Sequence, residues 1–125
     1  MTQAEMSAIL GGAVTAAAGG NERPPSQTEC IYSPAQGSSP YAELEVDWGA
    51  GDPQTLGTAA GAAGAAAPAG AVDSLHGLGE RAYQVTPDQV FISTGGNLMI
   101  VRFPPGSADV VSRARRIYET TKGRM

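Results

Sequence analysis

The chain is poor in the residues that most often carry metal, redox or nucleophilic chemistry. Its 125 residues include one cysteine, Cys30, and one histidine, His76. A single cysteine excludes an intramolecular disulfide. A zinc site needs three or four protein ligands, and Cys30 and His76 are far apart, with no group of carboxylates near either one in sequence. We therefore expect no metal site and no bound cofactor.

The chain also lacks a long hydrophobic run and an excess of positive charge. No stretch of about 18 apolar residues is present, so no membrane span is expected. The net charge is -4 and the isoelectric point is about 4.8, which argues against a general nucleic-acid binder. Five basic and two acidic residues lie from Ser107 onward. These cations suit the end of a terminal helix, and a docking face is the alternative.

The location of the protein stays open. Residues 8–20 resemble the apolar part of a secretion signal, but residues 1–7 contain Glu5 and no basic residue. Secretion signals carry positive charge at that point. The sequence therefore predicts a periplasmic or extracellular protein if a leader has been removed, and a cytoplasmic protein otherwise.

One hairpin organises the rest of the pattern. Residues 89–103 contain two apolar, β-branched runs joined by Gly95-Gly96, the strongest short-range hairpin signal in the chain. Residues 98–101 are apolar at every position, as in a strand that is covered on both faces. We expect these four residues to lie in the central strand, shielded by the two terminal helices.

Further strands are expected at residues 28–33, 41–48 and 81–85. Residues 41–48 show the cleanest alternation of apolar and polar residues, which is typical of a strand with one buried and one wet face. No alternation of strands and helices of the doubly wound kind is present. The prediction is a single α+β domain, residues 1–125, with one antiparallel sheet of about five strands and helices packed mainly on one face.

Both ends of the chain are predicted to be helical. Thr2 and Glu5 fit a capping box for a first helix, which ends between Leu10 and Ala18. Ser107 is expected to cap the last helix. The apolar stripe of this last helix recurs at helical spacing. Its members are Val110, Val111, Ala114, Ile117 and Tyr118.

The middle of the chain, residues 54–67, is nearly all alanine and glycine. Asp52-Pro53 is typical of a helix start, whereas each interior glycine costs a helix about 1 kcal/mol. Residues 59–67 are therefore either part of a smooth helix, ended by Pro68 and Gly70, or a flexible low-complexity linker.

Six short patterns, taken in order, resemble one known family. They are an early helix ending near Leu10-Gly11-Gly12, strands with Cys30-Ile31-Tyr32 and Leu44-Glu45-Val46, the turn Gly77-Leu78-Gly79-Glu80-Arg81-Ala82-Tyr83, the Gly95-Gly96 hairpin and a terminal helix. The family consists of small bacterial exported domains, many of them lipoproteins, with no assigned activity. The resemblance implies export and a fold, and supplies no catalytic residues. Some relatives pair the strand cysteine with an upstream cysteine, which this chain lacks.

A row of polar residues is the candidate binding site. Glu43, Glu45 and Asp47 share one face of the predicted strand 41–48, and Tyr41 and Trp48 flank them. Carboxylates beside two aromatic rings are suited to a cation or a basic partner. The alternative is an ordinary solvated strand face.

Catalytic candidates are few. Cys30 would be a nucleophile if a basic neighbour lowered its pKa, but in a strand it is more often a small buried apolar residue. His76 follows Asp73 and Ser74, although residues this close in a turn rarely adopt the geometry of a Ser-His-Asp triad.

These observations favour a non-catalytic exported or cell-envelope domain that binds a protein partner or a small ligand. Two alternatives stay open. One is a small hydrolase that uses Cys30 or His76, and the other is an assembly subunit that packs through its Ala/Gly-rich segment.

Overall fold

The computed structural model describes residues 1–20, 22–37, 41–66 and 72–125. In chain order the elements are α1 (Gln3–Leu10), β1 (Val14–Ala18), β2 (Gln27–Pro34), β3 (Ala42–Asp47), α2 (Pro53–Ala66), β4 (Asp73–Leu75), β5 (Arg81–Thr86), β6 (Gln89–Thr94), β7 (Asn97–Arg102), α3 (Val110–Thr121) and a short 3-10 turn, Lys122–Arg124. Within these residues the seven strands form one antiparallel sheet in the order β1-β2-β3-β7-β6-β5-β4. The α+β class and the single antiparallel sheet are confirmed, and the expected number of about five strands is wrong.

The two strands that were not predicted lie at the edges of the sheet. β1 has the sequence VTAAA, whose alanines favour a helix by propensity, and only its pairing with β2 from Val14↔Pro34 to Ala18↔Cys30 makes it a strand. β4 has three residues, too few to show an alternating pattern. Both strands depend on a neighbour that the local sequence does not reveal.

The predicted hairpin is at the centre of the sheet, as expected. β7 is the fourth of the seven strands and lies between β3 and β6. Gly95 and Gly96 both have positive φ, 56° and 79°, which a two-residue hairpin turn of type I′ requires. Met99 and Val101 are fully buried, Ile100 is buried and Leu98 is half-buried.

Two helices cover one face of the sheet, the face that carries Leu44, Ile92 and Met99, which we call the first face. α1 buries Met6, Ile9 and Leu10 in this core. α3 buries Val110, Ala114 and Ile117, while Val111 and Tyr118 of the predicted stripe are half-buried.

The third helix, α2, packs against β5 and β6 on the opposite face. This second face carries Glu45, Phe91 and Leu98. The expected arrangement therefore holds for α1 and α3 but not for α2. The helical interpretation of residues 59–67 is correct through residue 66, and residue 67 with the expected stop at Pro68 and Gly70 lies outside the described residues.

The helix ends are explained by local hydrogen bonds. The capping box of α1 is present, since Glu5 N–H donates to the Thr2 hydroxyl and Thr2 N–H donates to the Glu5 carboxylate. Ser107 does not cap α3. Its N–H and its hydroxyl both donate to Pro104 O, at 3.1 and 2.6 Å, so Ser107 closes the preceding turn and the helix starts after Asp109.

The turn from Gly77 to Glu80 fastens β5 to the central hairpin. Leu78 is buried in the core. Gly79 has a φ of 58°, and a Cβ at this position would lie 2.3 Å from Ser93 O, so a larger residue would both strain and clash. The Glu80 carboxylate accepts the Gly95 N–H at 3.1 Å. Among the described residues, no helix is both long and apolar enough to cross a membrane.

β7 has its main core on the first face and a cavity on the second, which leads to a prediction for two adjacent residues of this strand. Met99→Ala is expected to lower the free energy of unfolding by about 2–5 kcal/mol, because it removes a fully buried side chain. Leu98→Ala should cost less, because Leu98 is half-buried and borders a cavity on the second face. Urea unfolding of both variants checks this, and a larger loss for Leu98→Ala would contradict the assignment of the main core to the first face.

Candidate functional site

The predicted acidic row forms a cluster around Arg102 on the second face. Register places Glu43 opposite Arg102, and it places Glu29 opposite Glu45 on the neighbouring strands. The Arg102 Nη1 atom lies 2.6 Å from Glu45, 3.8 Å from Glu43 and 3.9 Å from Glu29. Glu29 and Glu45 are only 4% and 5% exposed, so the solvated-face interpretation is wrong for Glu45.

Other polar side chains complete this Arg102 cluster. Gln27 Nε2 donates to Glu45 at 2.6 Å, and the Tyr41 hydroxyl donates to Glu43 at 2.5 Å. Burial, and then the neighbouring Glu43, raises the pKa of Tyr41 to about 12. Burial, and then the charge of Glu45, raises the pKa of Asp47 above its usual value.

The hydrogen bonds within the cluster satisfy its members. In the part of the chain that the structure describes, no group of three or more His, Cys, Asp and Glu side chains is arranged to hold a metal ion. The cluster therefore joins β2, β3 and β7 electrostatically, with more carboxylates than cations.

Trp48 does not belong to this cluster. It is 37% exposed, and its Nε1 donates to Thr28 Oγ1 at 3.2 Å. The ring lines a cavity on the first face. Four of the five predicted binding residues thus lie together on the second face of the sheet, namely Tyr41, Glu43, Glu45 and Asp47. The fifth, Trp48, lies on the first face.

The cavity next to Trp48 has a volume of about 410 Å³. We call it the first-face cavity. Leu44, Val46 and Met99 line it from the sheet, and Arg124 and Met125 line it from the end of the chain. It therefore occupies the part of the first face between the strands and the 3-10 turn that follows α3.

Cys30 and Tyr32 also line the first-face cavity, because they share the face of Leu44 and Val46. Cys30 is half-buried. The Tyr32 hydroxyl donates to Met1 O at 2.8 Å. Burial, and then the adjacent Cys30, raises the pKa of Tyr32. Tyr32 therefore stays neutral at physiological pH.

An ion pair holds the end of the chain over this cavity. Both Arg124 guanidinium nitrogens bind the Glu5 carboxylate, at 2.9 and 2.5 Å. The hydrogen bond from Arg124, and then that from the Thr2 backbone, lowers the pKa of Glu5 to about 2. The pair ties the 3-10 turn to the first turn of α1.

His76 lies in the loop between β4 and β5. Its carbonyl oxygen accepts a hydrogen bond from Arg115 at 3.0 Å, and Gly77 O accepts another from the same guanidinium at 2.7 Å. Within the described residues, no hydrogen bond joins His76 to Asp73 or Ser74. The loop is thus held to α3 through its backbone.

Sequence reasoning missed two parts of this arrangement. Arg102 is the one charged residue of β7 and follows four apolar residues, and the strand register places it opposite Glu43. The first-face cavity had a weaker signal, the shared face of Cys30 and Tyr32. Its outer wall comes from the end of the chain, more than 70 residues away from Val46, and no local pattern predicts that contact.

Removal of the central cation should destabilise the protein. Arg102→Gln takes the guanidinium away from the buried Glu29 and Glu45 carboxylates, and we expect a loss of about 3–5 kcal/mol at pH 7. Urea unfolding at pH 7 measures the loss.

The control for this experiment is Arg81→Gln, since Arg81 is exposed and bonds to Tyr83. Its cost should stay within about 0.5 kcal/mol. A loss for Arg102→Gln that is no larger than the loss for Arg81→Gln would contradict the electrostatic role of the cluster.

The Glu5–Arg124 pair predicts a separate acid transition. The pKa of Glu5 falls from 4.5 to about 2 on folding, so the pair stabilises the protein above about pH 4.5 and its contribution is lost as pH falls toward 2. Wild type should therefore melt at a higher temperature than Arg124→Gln at pH 6, and this difference should shrink by pH 2. Lys122→Gln loses the pair with Glu119 and the contact with the Tyr118 ring but keeps the Glu5–Arg124 pair, so it is the control. A difference that stays constant with pH would contradict the assignment.

The predicted binding residues thus lie at two places, an electrostatic cluster that is internally satisfied and the first-face cavity, which has a largely apolar floor. The cluster fastens three strands, whereas the cavity offers space beside Cys30, Tyr32 and Trp48. No family model, curated protein or solved structure matches the chain.

Proposed function

We propose that the chain is a non-catalytic binding domain that takes a small amphiphilic molecule into the first-face cavity. The observation that carries this proposal is the cavity itself, with Leu44, Val46 and Met99 on its floor and Trp48 at its side. A volume of about 410 Å³ lies within the range of about 300–1,000 Å³ that small-molecule sites occupy.

The polar groups of the cavity support an amphiphile over a strongly polar ligand. The Tyr32 and Thr28 hydroxyls are both engaged in hydrogen bonds within the chain. The charged Glu22, Glu29 and Arg124 also border the space. An apolar body against the floor, with a polar group beside these charges, fits this distribution.

The surroundings of Cys30 support binding without catalysis. A nucleophilic thiol needs a neighbouring base or cation that stabilises the thiolate. The described residues that line the cavity include no histidine and no lysine, and the one cationic side chain among them, that of Arg124, is paired with Glu5. Cys30 then contributes a small polarisable surface to the ligand.

We further propose an exported or cell-envelope location. The support for it is the resemblance of the short motifs, including Cys30-Ile31-Tyr32 and Gly77-Leu78-Gly79-Glu80, to exported bacterial domains. A small molecule in the first-face cavity is then a compound met outside the cytoplasm or in the envelope.

Trp48 provides a direct test, because it is the only tryptophan in the chain. N-phenyl-1-naphthylamine, a neutral amphiphilic dye, should quench Trp48 emission by energy transfer on binding, and 1-decanol should displace it. Ala18→Leu, which narrows the cavity at β1, is expected to weaken dye binding at least fivefold.

Ala17→Leu is the matched control. Ala17 and Ala18 are adjacent and both exposed, but only Ala18 borders the cavity, because the strand alternates between faces. The control should bind the dye as wild type does. No response of Trp48, or equal losses in the two variants, would overturn the proposal.

A further inference from the structure

A second cavity lies on the opposite face of the sheet, under α2, and we propose that it binds a small uncharged aromatic molecule. Its volume is about 310 Å³, and Leu56, Ala60 and Ala63 line it from the helix while Phe91 and Leu98 line it from the sheet. We call it the second-face cavity. It shares no lining residue with the first-face cavity, so this inference does not rest on the proposed function.

The space exists because α2 has almost no side chains to fill it. Leu56 is the one large apolar residue of the helix, and the neighbouring positions on the same stripe, Ala60 and Ala63, end at Cβ. Side chains of ordinary size interdigitate between packed layers and leave few voids larger than a water molecule. With alanines on the helix, the gap above Phe91 and Leu98 stays partly open.

Hydrogen bonds at the start of α2 hold the helix at its position. Gly51 N–H donates to Gly96 O at 2.9 Å, and the buried Ser93 hydroxyl donates to Gly51 O at 2.5 Å. Gly49 N–H donates to Asn97 Oδ1 at 3.0 Å. These bonds join the chain just before α2 to the central hairpin, which opposes closure of the gap by movement of the helix.

The lining determines the chemistry of the ligand. None of the described lining residues is charged. The one hydroxyl in the lining, that of Thr55, already donates to the Asp52 carboxylate at 2.5 Å. A charged or hydrogen-bonding ligand would lose its hydration without gaining a partner, so the cavity favours an uncharged molecule.

The same residues favour an aromatic ring over an alkyl chain. Phe91 offers a ring for an offset or edge-to-face contact, and the alanine stripe of α2 presents a smooth surface above it. Apolar cavities of about 150 Å³ stay dry and accept a benzene molecule. The second-face cavity therefore has room for two fused rings.

The test is a titration with naphthalene, followed by NMR of the alanine and leucine methyl groups in the full chain. Binding should shift the methyl signals of Leu56, Ala60 and Ala63. Ala63→Leu fills the cavity and should weaken binding at least tenfold. Ala62→Leu makes the same change one residue away on the exposed side of α2 and should leave binding unchanged.

One further variant is an alternative way to fill the cavity, and another is a control. Ala59→Leu enters the cavity from its edge and replaces Ala63→Leu if that variant does not fold. Ala18→Leu should not affect naphthalene binding, since it alters the first-face cavity. The inference is wrong if naphthalene leaves the methyl signals around α2 undisturbed, or if Ala62→Leu and the cavity-filling variant bind naphthalene equally. It is also wrong if wild type binds 2-naphthoate as tightly as naphthalene, or binds octane more tightly than naphthalene.

Discussion

The structure depends on the burial of β7 from both sides. Met99 and Val101 lie under α1 and α3 in the first-face core, and Ile100 and Leu98 lie on the face that α2 and the Arg102 cluster share. A strand that is apolar on both faces can only be central, because either face would otherwise expose large side chains to water. The positions of β3, β6 and all three helices follow from this requirement.

The Arg102 cluster marks the point where this apolar strand ends. Arg102 follows Val101 directly and meets carboxylates from β2 and β3. Burying Glu29 and Glu45 carries a desolvation cost that one shared cation and the added hydrogen bond from Gln27 offset. The acidic row of β3 is therefore explained by strand pairing, and it need not contact a ligand.

The sequence predicts the elements whose conformation is determined by neighbouring residues. It fails for elements whose conformation depends on contacts with residues far away in the chain. The capping box at Thr2 and the hairpin at Gly95-Gly96 follow from neighbouring residues, and both are confirmed. Three of the five residues of strand β1 are alanines, which prefer a helix, and pairing with β2 gives the segment its extended conformation. Ser107 has the right residue type for a cap, yet the turn that begins at Pro104 uses its hydroxyl instead.

The candidate site shows the same limit. The alternation in β3 correctly predicted that Glu43, Glu45 and Asp47 share a face, but a single strand cannot reveal that Arg102 will lie opposite them. The same alternation puts Trp48 on the face of Leu44 and Val46, so Trp48 follows the acidic row along the chain while its indole lies on the other face, beside Thr28. Both cavities are bounded by elements far apart in sequence, and hydrophobic periodicity does not reveal contacts between such elements.

The placement of α2 apart from the other two helices has a consequence for how this chain can diversify. The sheet separates two cavities. The ends of the chain bound the first-face cavity, and the alanine-rich helix α2 covers the second-face cavity. Because the alanines of α2 that line the second-face cavity, Ala59, Ala60 and Ala63, end at Cβ, a single substitution to a larger side chain there resizes this cavity while the first-face cavity keeps its shape. Selection can thus tune the two volumes independently on an unchanged backbone.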